Sequence, residues 1–444
     1  MSLMKKCIFG LLAVFLMAVT VQAQDAKDLA KDSEKALGKF NLDQSANKAE
    51  LTNAIQFADK AVEADENMAR AWNARGMAYN AYATQWVAQR QLGQELLKDV
   101  PEVSMAGVRA YKSFLKGMET AEKNREQKDA IEGLQNVMGN LSNKGIIHFE
   151  DGAFGQAYAC FEALLSTHET LTEMGENSGL QEEDYNRQLY ITGLAALNAK
   201  NMDAAERYFT ILYDMKYDEP AIYEALYQIR SEKTSPEEAY SILEEGKERY
   251  PDDVSMLFAE INHYLKLGQS EKLIDQLEKA IAAEPNNASL YSVMGNAYET
   301  IYQRAAEKGD TSEAEMNFNK ALEYYDKAQE IDPESITAIY SAGALYYNKA
   351  AQLTQKMLEL QDDYSKEGIA KYDAMREQVM QEFDNALPYF KKAEMINPND
   401  MNTLIALKEI YAKKDDLEMS NVFKERLENL QSGVENEESY FKNN

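Results

Sequence analysis

The sequence predicts an all-α fold, an α-solenoid of about eight to nine stacked helical hairpins, some with lengthened helices. Three observations lead there. The 444 residues include only 21 Gly and 8 Pro, too little punctuation for several separate domains, so one continuous repeat architecture fits best. Ala, Leu, Glu, Lys and Gln dominate, which favours helix. Pro251 and Pro285 stand 34 residues apart, and between them lie two apolar stripes at helical spacing, Leu257, Ile261 and Tyr264, then Leu273, Leu277 and Ala280. Two such stripes can bury only against each other and against the next unit, and each proline ends the second helix of its unit.

Taken from the start, Lys5 and Lys6 precede an apolar run from Cys7 to Val21, and Val21-Gln22-Ala23 is a small-residue cleavage signature ahead of Gln24. Residues 1–23 are therefore expected to be a cleaved signal peptide, and the product exported, periplasmic or extracellular. Cys7 begins the run rather than ending it, which does not suit a lipoprotein, and no later segment is long and apolar enough to span a membrane. Cleavage would leave Cys160 without a disulfide partner, so packing alone must hold the fold. It would also remove two lysines from a chain whose formal net charge is already −28. So acidic a surface repels nucleic acid and anionic lipid, and suits either a basic partner or plain solubility.

Residues 24–45 are expected to form an N-terminal helical segment, with Asp25 to Phe40 as the first helix and Ala54, Ala58 and Ala61 on its partner. From 46 to 430 the spacing repeats. Tyr291, Met294, Gly295 and Tyr298 open one unit, closed by Ala321, Tyr325, Ala328 and Pro333. Ile339, Ala342, Gly343 and Tyr346 open the next, closed by Ala386, Phe390, Ala393 and Pro398. Trp72, Arg75, Gly76 and Tyr79 mark an early unit; Gly145, Ala157, Phe161 and Leu164 another; Leu189, Gly193, Ala205, Phe209 and Leu212 a third. Weaker units carry Tyr223, Leu226, Ala239, Leu243 and Gly246, and finally Leu404, Leu407, Tyr411 and Leu427.

This pattern resembles the tetratricopeptide repeat (TPR), in an exported bacterial, Bacteroidetes-like member. The resemblance implies a right-handed solenoid in which small Gly or Ala at the crossing positions lets helices approach closely and aromatics fill the gaps between units. It also implies that helix A residues off the packing stripe line a groove for extended peptides. That frame nominates Asn73, Asn80, Tyr190, Phe258, Asn262, Asn296, Tyr340 and Tyr347, against the plainer reading of solvated or inter-repeat packing residues. The carboxylate clamp of chaperone-binding members needs Lys, Asn and Arg on successive grooves. Here only the amides recur, Asn262 and Asn296, while Arg70 and Arg187 are isolated.

Three stretches depart from the regular spacing. Gly295 to Ala321, Gly343 to Ala386 and the segment after Tyr79 are long, yet Thr84–Lys98 and Asn348–Leu360 keep helical composition. Lengthened hairpins are expected, turning at Gly309-Asp310-Thr311 and Asp363-Tyr364-Ser365, with Tyr82, Trp86, Leu92, Leu353, Met357, Leu360 and Tyr364 needing cover. Residues 431–444 are expected to be a flexible acidic tail.

No catalytic chemistry is legible, and no cofactor, metal or catalytic residue is expected. His148, His168 and His263 lie apart with no metal-ligand spacing, and GxSxG, GxxxxGK[ST] and GxGxxG are absent. Cys160 beside Phe161 reads as an inert packing thiol, and acidic clusters such as Glu182, Glu183 and Asp184 carry little information among 75 acids. Asp252-Asp253 and Asn399-Asp400 read as turn and cap residues, and Asn140 and Asn287 head weak glycosylation sequons. The expected function is a non-catalytic scaffold or adaptor of the bacterial cell envelope that binds protein or peptide partners in the concave groove and on the projecting hairpins. A periplasmic holdase or assembly chaperone, favoured by 20 Met, and a glycan-binding repeat protein are the alternatives.

Overall fold

The computed structural model describes residues 25–251 and 253–443, all of whose regular structure is helical. The expected signal peptide and Asp252 lie outside the described residues. Contacts divide the chain into two compact units, Met1–Ile229 and Arg230–Asn444.

The first unit contains α1 (25–42), α2 (Lys48–Ala64), α3 (Ala69–Leu92), α4 (Ala106–Glu119), α5 (Asn124–Glu150), α6 (Phe154–Glu173), α7 (Glu182–Asn198) and α8 (Met202–Asp214). The boundary falls within α9 (Ala221–Lys233). The second unit contains α10 (Pro236–Arg249), α11 (Val254–Leu267), α12 (Ser270–Ala283), α13 (Ala288–Lys308), α14 (Thr311–Ile331), α15 (Ile336–Glu359), α16 (Lys366–Ile396), α17 (Met401–Lys413), α18 (Leu417–Gln431) and the short α19 (Tyr440–Asn443). Within each unit consecutive helices pair and then pack on the next pair, giving α3/α4, α5/α6 and α7/α8 in the first and α11/α12, α13/α14, α15/α16 and α17/α18 in the second. Helix α1 joins α2 through Ser33, which donates to the Ala54 carbonyl at 2.8 Å, and through buried Ala36 and Ala54.

One contact recurs in hairpin after hairpin. A β-carbon added at Gly145 would lie 2.2 Å from the Phe161 ring, and one at Gly295 would lie 2.4 Å from Tyr325. Gly193 faces Phe209 and Gly343 faces Phe390 in the same way, at 3.0 and 3.2 Å. Helix A has no side chain at these points because the helix B ring occupies the space, so the backbones approach closely. The alanines a turn before the rings, Ala157, Ala205, Ala321 and Ala386, are fully buried.

The two large insertions are lengthened hairpins as the sequence predicts. Helices α13 and α14 have 21 residues each, and α15 and α16 have 24 and 31. The first turns at Gly309, whose φ of +78° suits glycine, and Asp310 then caps α14 by accepting from the Glu313 N–H at 3.0 Å. Asp310→Ala is expected to cost about 1 kcal/mol, read as a lower urea midpoint at unchanged m-value. Ser365 caps α16 likewise, accepting from Gly368 at 3.0 Å, and Asp253 and Asp400 cap α11 and α17.

The segment after Tyr79 lengthens α3 to Leu92, but the helix expected as far as Lys98 stops there: Gly93 ends it with φ +64°, and residues 94–105 fold back, Val103 N–H donating to Tyr82 Oη at 3.1 Å. The partner of α3 is α4, whose Phe114 fills the space against both Gly76 and Gly133, at 2.5 and 2.2 Å from where their β-carbons would stand. Within the tail expected to be flexible, residues 431–435 are exposed, while Ser439 is 5% exposed and Tyr440 and Phe441 lie against Phe423. Of the apolar residues needing cover, Tyr82 is buried and Leu353 packs on the α15–α18 cluster, while Leu92 and Tyr364 stay exposed.

Candidate functional site

In the first unit α1, α3 and α5 lie side by side as first helices of successive hairpins, and the cleft they form has a volume of about 710 Å³. Its lining follows from helix geometry. Gly76 and Gly133 line the cleft above Phe114, so Asn80 and Asn136, a turn further along the same helices, face it too, with Met77 beside Gly76 and Asn41 contributed by α1. Phe114 closes the floor.

The charges there are mostly paired. Arg70 forks onto Glu34 through Nε at 2.8 Å and Nη2 at 2.5 Å, tying α3 to α1. That hydrogen bond, against the opposing cost of burial, raises the Arg70 pKa above its ordinary value. Lys123 meets Glu126 at 3.2 Å at the start of α5. Arg125 and Asp129 stand exposed at the rim.

The nominated residues fall into different places. Asn80 lines the cleft and is held in orientation by Asn140, whose Nδ2 donates to Asn80 Oδ1 at 2.7 Å and to Thr84 Oγ1 at 2.8 Å. Asn73 also borders it but is only 4% exposed, its Nδ2 donating to the Glu126 carbonyl at 2.9 Å. Its Oδ1 is buried 2.1 Å from where a β-carbon on Gly117 would be and accepts no hydrogen bond among the described residues, so the amide is half engaged, by its Nδ2, between α3 and α5. Tyr190 meets Phe209 edge-on at 6.3 Å, its hydroxyl pKa pushed up to about 12 by burial. In the second unit Phe258 packs against the core, Asn262 is exposed, and Asn296 Oδ1 accepts from Tyr325 at 2.7 Å. Tyr340 lies edge-on to Phe390 at 5.5 Å, and Tyr347 packs on Phe383 and donates to Glu409. Only Asn73 and Asn80 converge on this cleft; Asn41 and Asn136, which the sequence frame did not nominate, join them. Asn136 was hidden because α5 starts a full 21 residues before Gly145, well ahead of the repeat signature.

Among the described residues no group of three His, Cys, Asp or Glu could hold a metal ion, and no helix is long and apolar enough to cross a membrane. Cys160 is fully buried, its thiol pushed up to about 11 by desolvation. Burial lowers the pKa of all three histidines, and each ring packs on another: His148 on Trp86, His168 on Tyr185 and His263 on Tyr240.

Comparison with known proteins gives partial matches. A family model described as plant specific mitochondrial import receptor subunit TOM20 matches residues 257–377, well under half of the chain. Superkiller complex protein 3 of Homo sapiens is 26% identical over 107 residues, which is 23% of this chain and 6% of that protein. The chain thus spans a small part of that curated relative. Among solved structures, a TPR repeats protein from Bacteroides fragilis is 19% identical, covering 62% of this chain and 98% of that one with a TM-score of 0.26. PilF of Pseudomonas aeruginosa is 12% identical, covering 56% and 93% with a TM-score of 0.37. A monomeric IFIT1 mutant is 15% identical, covering 81% and 90% with a TM-score of 0.30. The fold assignment rests on the helices and contacts described above: this is an all-α protein of serially packed helical hairpins, with a resemblance to tetratricopeptide-repeat proteins.

Proposed function

We propose that this chain is a non-catalytic scaffold of the bacterial cell envelope that holds a protein segment in the cleft between α1, α3 and α5. The observation that carries the reading is the cleft itself, about 710 Å³ of open space edged by amides and mixed charge over the Phe114 ring. Amide side chains pair with a peptide backbone through both donor and acceptor. Export is supported by Lys5, Lys6, the Cys7–Val21 run and the small residues before Gln24.

A photo-crosslinking amino acid at Asn136, compared with one at exposed Lys60 on α2, tests the cleft in the native host. The expected result is a reproducible adduct from Asn136 alone, lost when Asn80→Asp places a charge in the cleft. Equal adducts from both positions, or none from Asn136, would overturn the reading. Mass spectrometry of the chain from an envelope fraction is expected to find Gln24 as the first residue; an intact Met1 in the cytosol would overturn the localisation.

A further inference from the structure

The segment that follows α18 comes back over the second unit and is gripped there by side chains aimed at its backbone. Glu394 on α16 is fully buried and accepts from Ser439 Oγ at 2.6 Å, from the Tyr440 N–H at 2.8 Å and from the Phe441 N–H at 3.4 Å. Arg426 on α18 balances that carboxylate at 2.9 Å and donates to the Glu438 carbonyl at 2.7 Å. Nearby, the Asn436 N–H donates to Asn399 Oδ1 at 2.8 Å, and Asn399 Nδ2 donates back to the Asn436 carbonyl at 3.2 Å, the pairing one strand would offer another.

Two rings complete the hold. Phe441 stacks on fully buried Phe423 at 5.4 Å, and Tyr440 meets the same ring edge-on at 5.6 Å. The Lys391 ammonium lies 5.1 Å over the Phe441 ring, and Tyr440 Oη reaches Met419 Sδ at 3.4 Å.

We propose that α16, α17 and α18 build a docking site for a Ser-aromatic-aromatic segment, filled here by the chain's own Ser439–Phe441 and able to accept the same segment from a second copy. A cover for Phe423 alone would need only apolar residues. A buried Glu394–Arg426 pair stabilises less than apolar packing of the same size, and what it supplies in return is a fixed register on backbone N–H groups. Groups that read a backbone, beside pockets that read side chains, are how extended segments are recognised. Residues 432–439 are non-helical, with Gly433 at φ +84°, so the ligand is joined to its site by a short irregular link rather than by a continuous helix.

The test uses the full chain carrying Tyr440→Ala and Phe441→Ala, which vacates the site, and a fluorescent peptide of residues 432–443 standing for the second copy's segment. Saturable binding to this variant is expected, at least about tenfold tighter than to the wild-type chain, whose site is filled. Adding Glu394→Gln should weaken it about tenfold, the worth of a charge-assisted hydrogen bond. Absence of binding to a variant of unchanged helicity, or equal binding with and without Glu394→Gln, would overturn the proposal. Hydrogen exchange on the wild-type chain supplies a check that needs no variant. The Tyr440 and Phe441 amides should exchange at least about tenfold faster than those in the middle of α16; equal rates would mean that the segment never leaves, and the proposal falls. None of these outcomes bears on the cleft of the first unit.

Discussion

Replacing Gly145 with alanine is expected to destabilise the first unit by about 1 to 3 kcal/mol, whereas the same change at Gly139 on the same helix should stabilise it by about 0.5 to 1 kcal/mol. Both glycines lie inside α5, where alanine is the better helix former. They differ in what the new methyl would meet. At Gly139 nothing lies within 4 Å, while at Gly145 three atoms of the Phe161 ring lie at 2.2, 2.5 and 2.9 Å. Phe161 is itself 1% exposed, so it has nowhere to retreat. Shrinking the ring should therefore relieve the clash: Gly145→Ala with Phe161→Leu is expected to be less unstable than the sum of the single changes. Urea unfolding of the four proteins checks this, and strict additivity would show that the glycine is not there to admit the ring.

The second large effect is a stabilisation. Lys144 on α5 is 2% exposed, and its ammonium rests 3.4 Å from the Trp86 ring centre, with no carboxylate bonded to it among the described residues. Desolvation lowers its pKa from 10.5 to about 8. The unfolded chain therefore binds this proton more tightly than the folded one. The resulting penalty is fully present below pH about 8, and is relieved as pH rises from about 8 towards 10.5. The Trp86 face offsets part of the cost. Lys144→Met, which keeps the stem and removes the charge, is expected to raise stability at pH 7 by about 1 to 2 kcal/mol. The gain should shrink when the comparison is repeated at pH 9.5. Thermal unfolding at both pH values decides it, and a gain independent of pH would place the effect in packing rather than in the charge.

Most of the fold was legible because each hairpin repeats its own instructions. On the second helix an alanine, a ring one turn later and a proline after the ring read as Ala321, Tyr325 and Pro333, and again as Ala386, Phe390 and Pro398, however long the insertion before them. The pairing of α3 with α4 was not legible, since residues 94–105 intervene and Phe114 lies outside the usual spacing. Nor was the tail's docking site, because Glu394 is one of 75 acids and only its burial distinguishes it. Asn73 shows the limit of reading a lining from register. Its position on α3 fits the cleft, but whether its amide faces a ligand or Gly117 depends on how closely α4 approaches, and one sequence stripe does not record that distance.

The burial of Cys160 gives the protein a built-in clock. Its sulfur is the one free thiol among the described residues, fully enclosed beside Phe161 and held protonated at neutral pH. A thiol reagent can reach it only when the packing around it opens, so the labelling rate under native conditions tracks the population of that open state. Followed while a partner segment is titrated in, that rate would report whether occupying the neighbouring cleft stiffens the hairpin behind it.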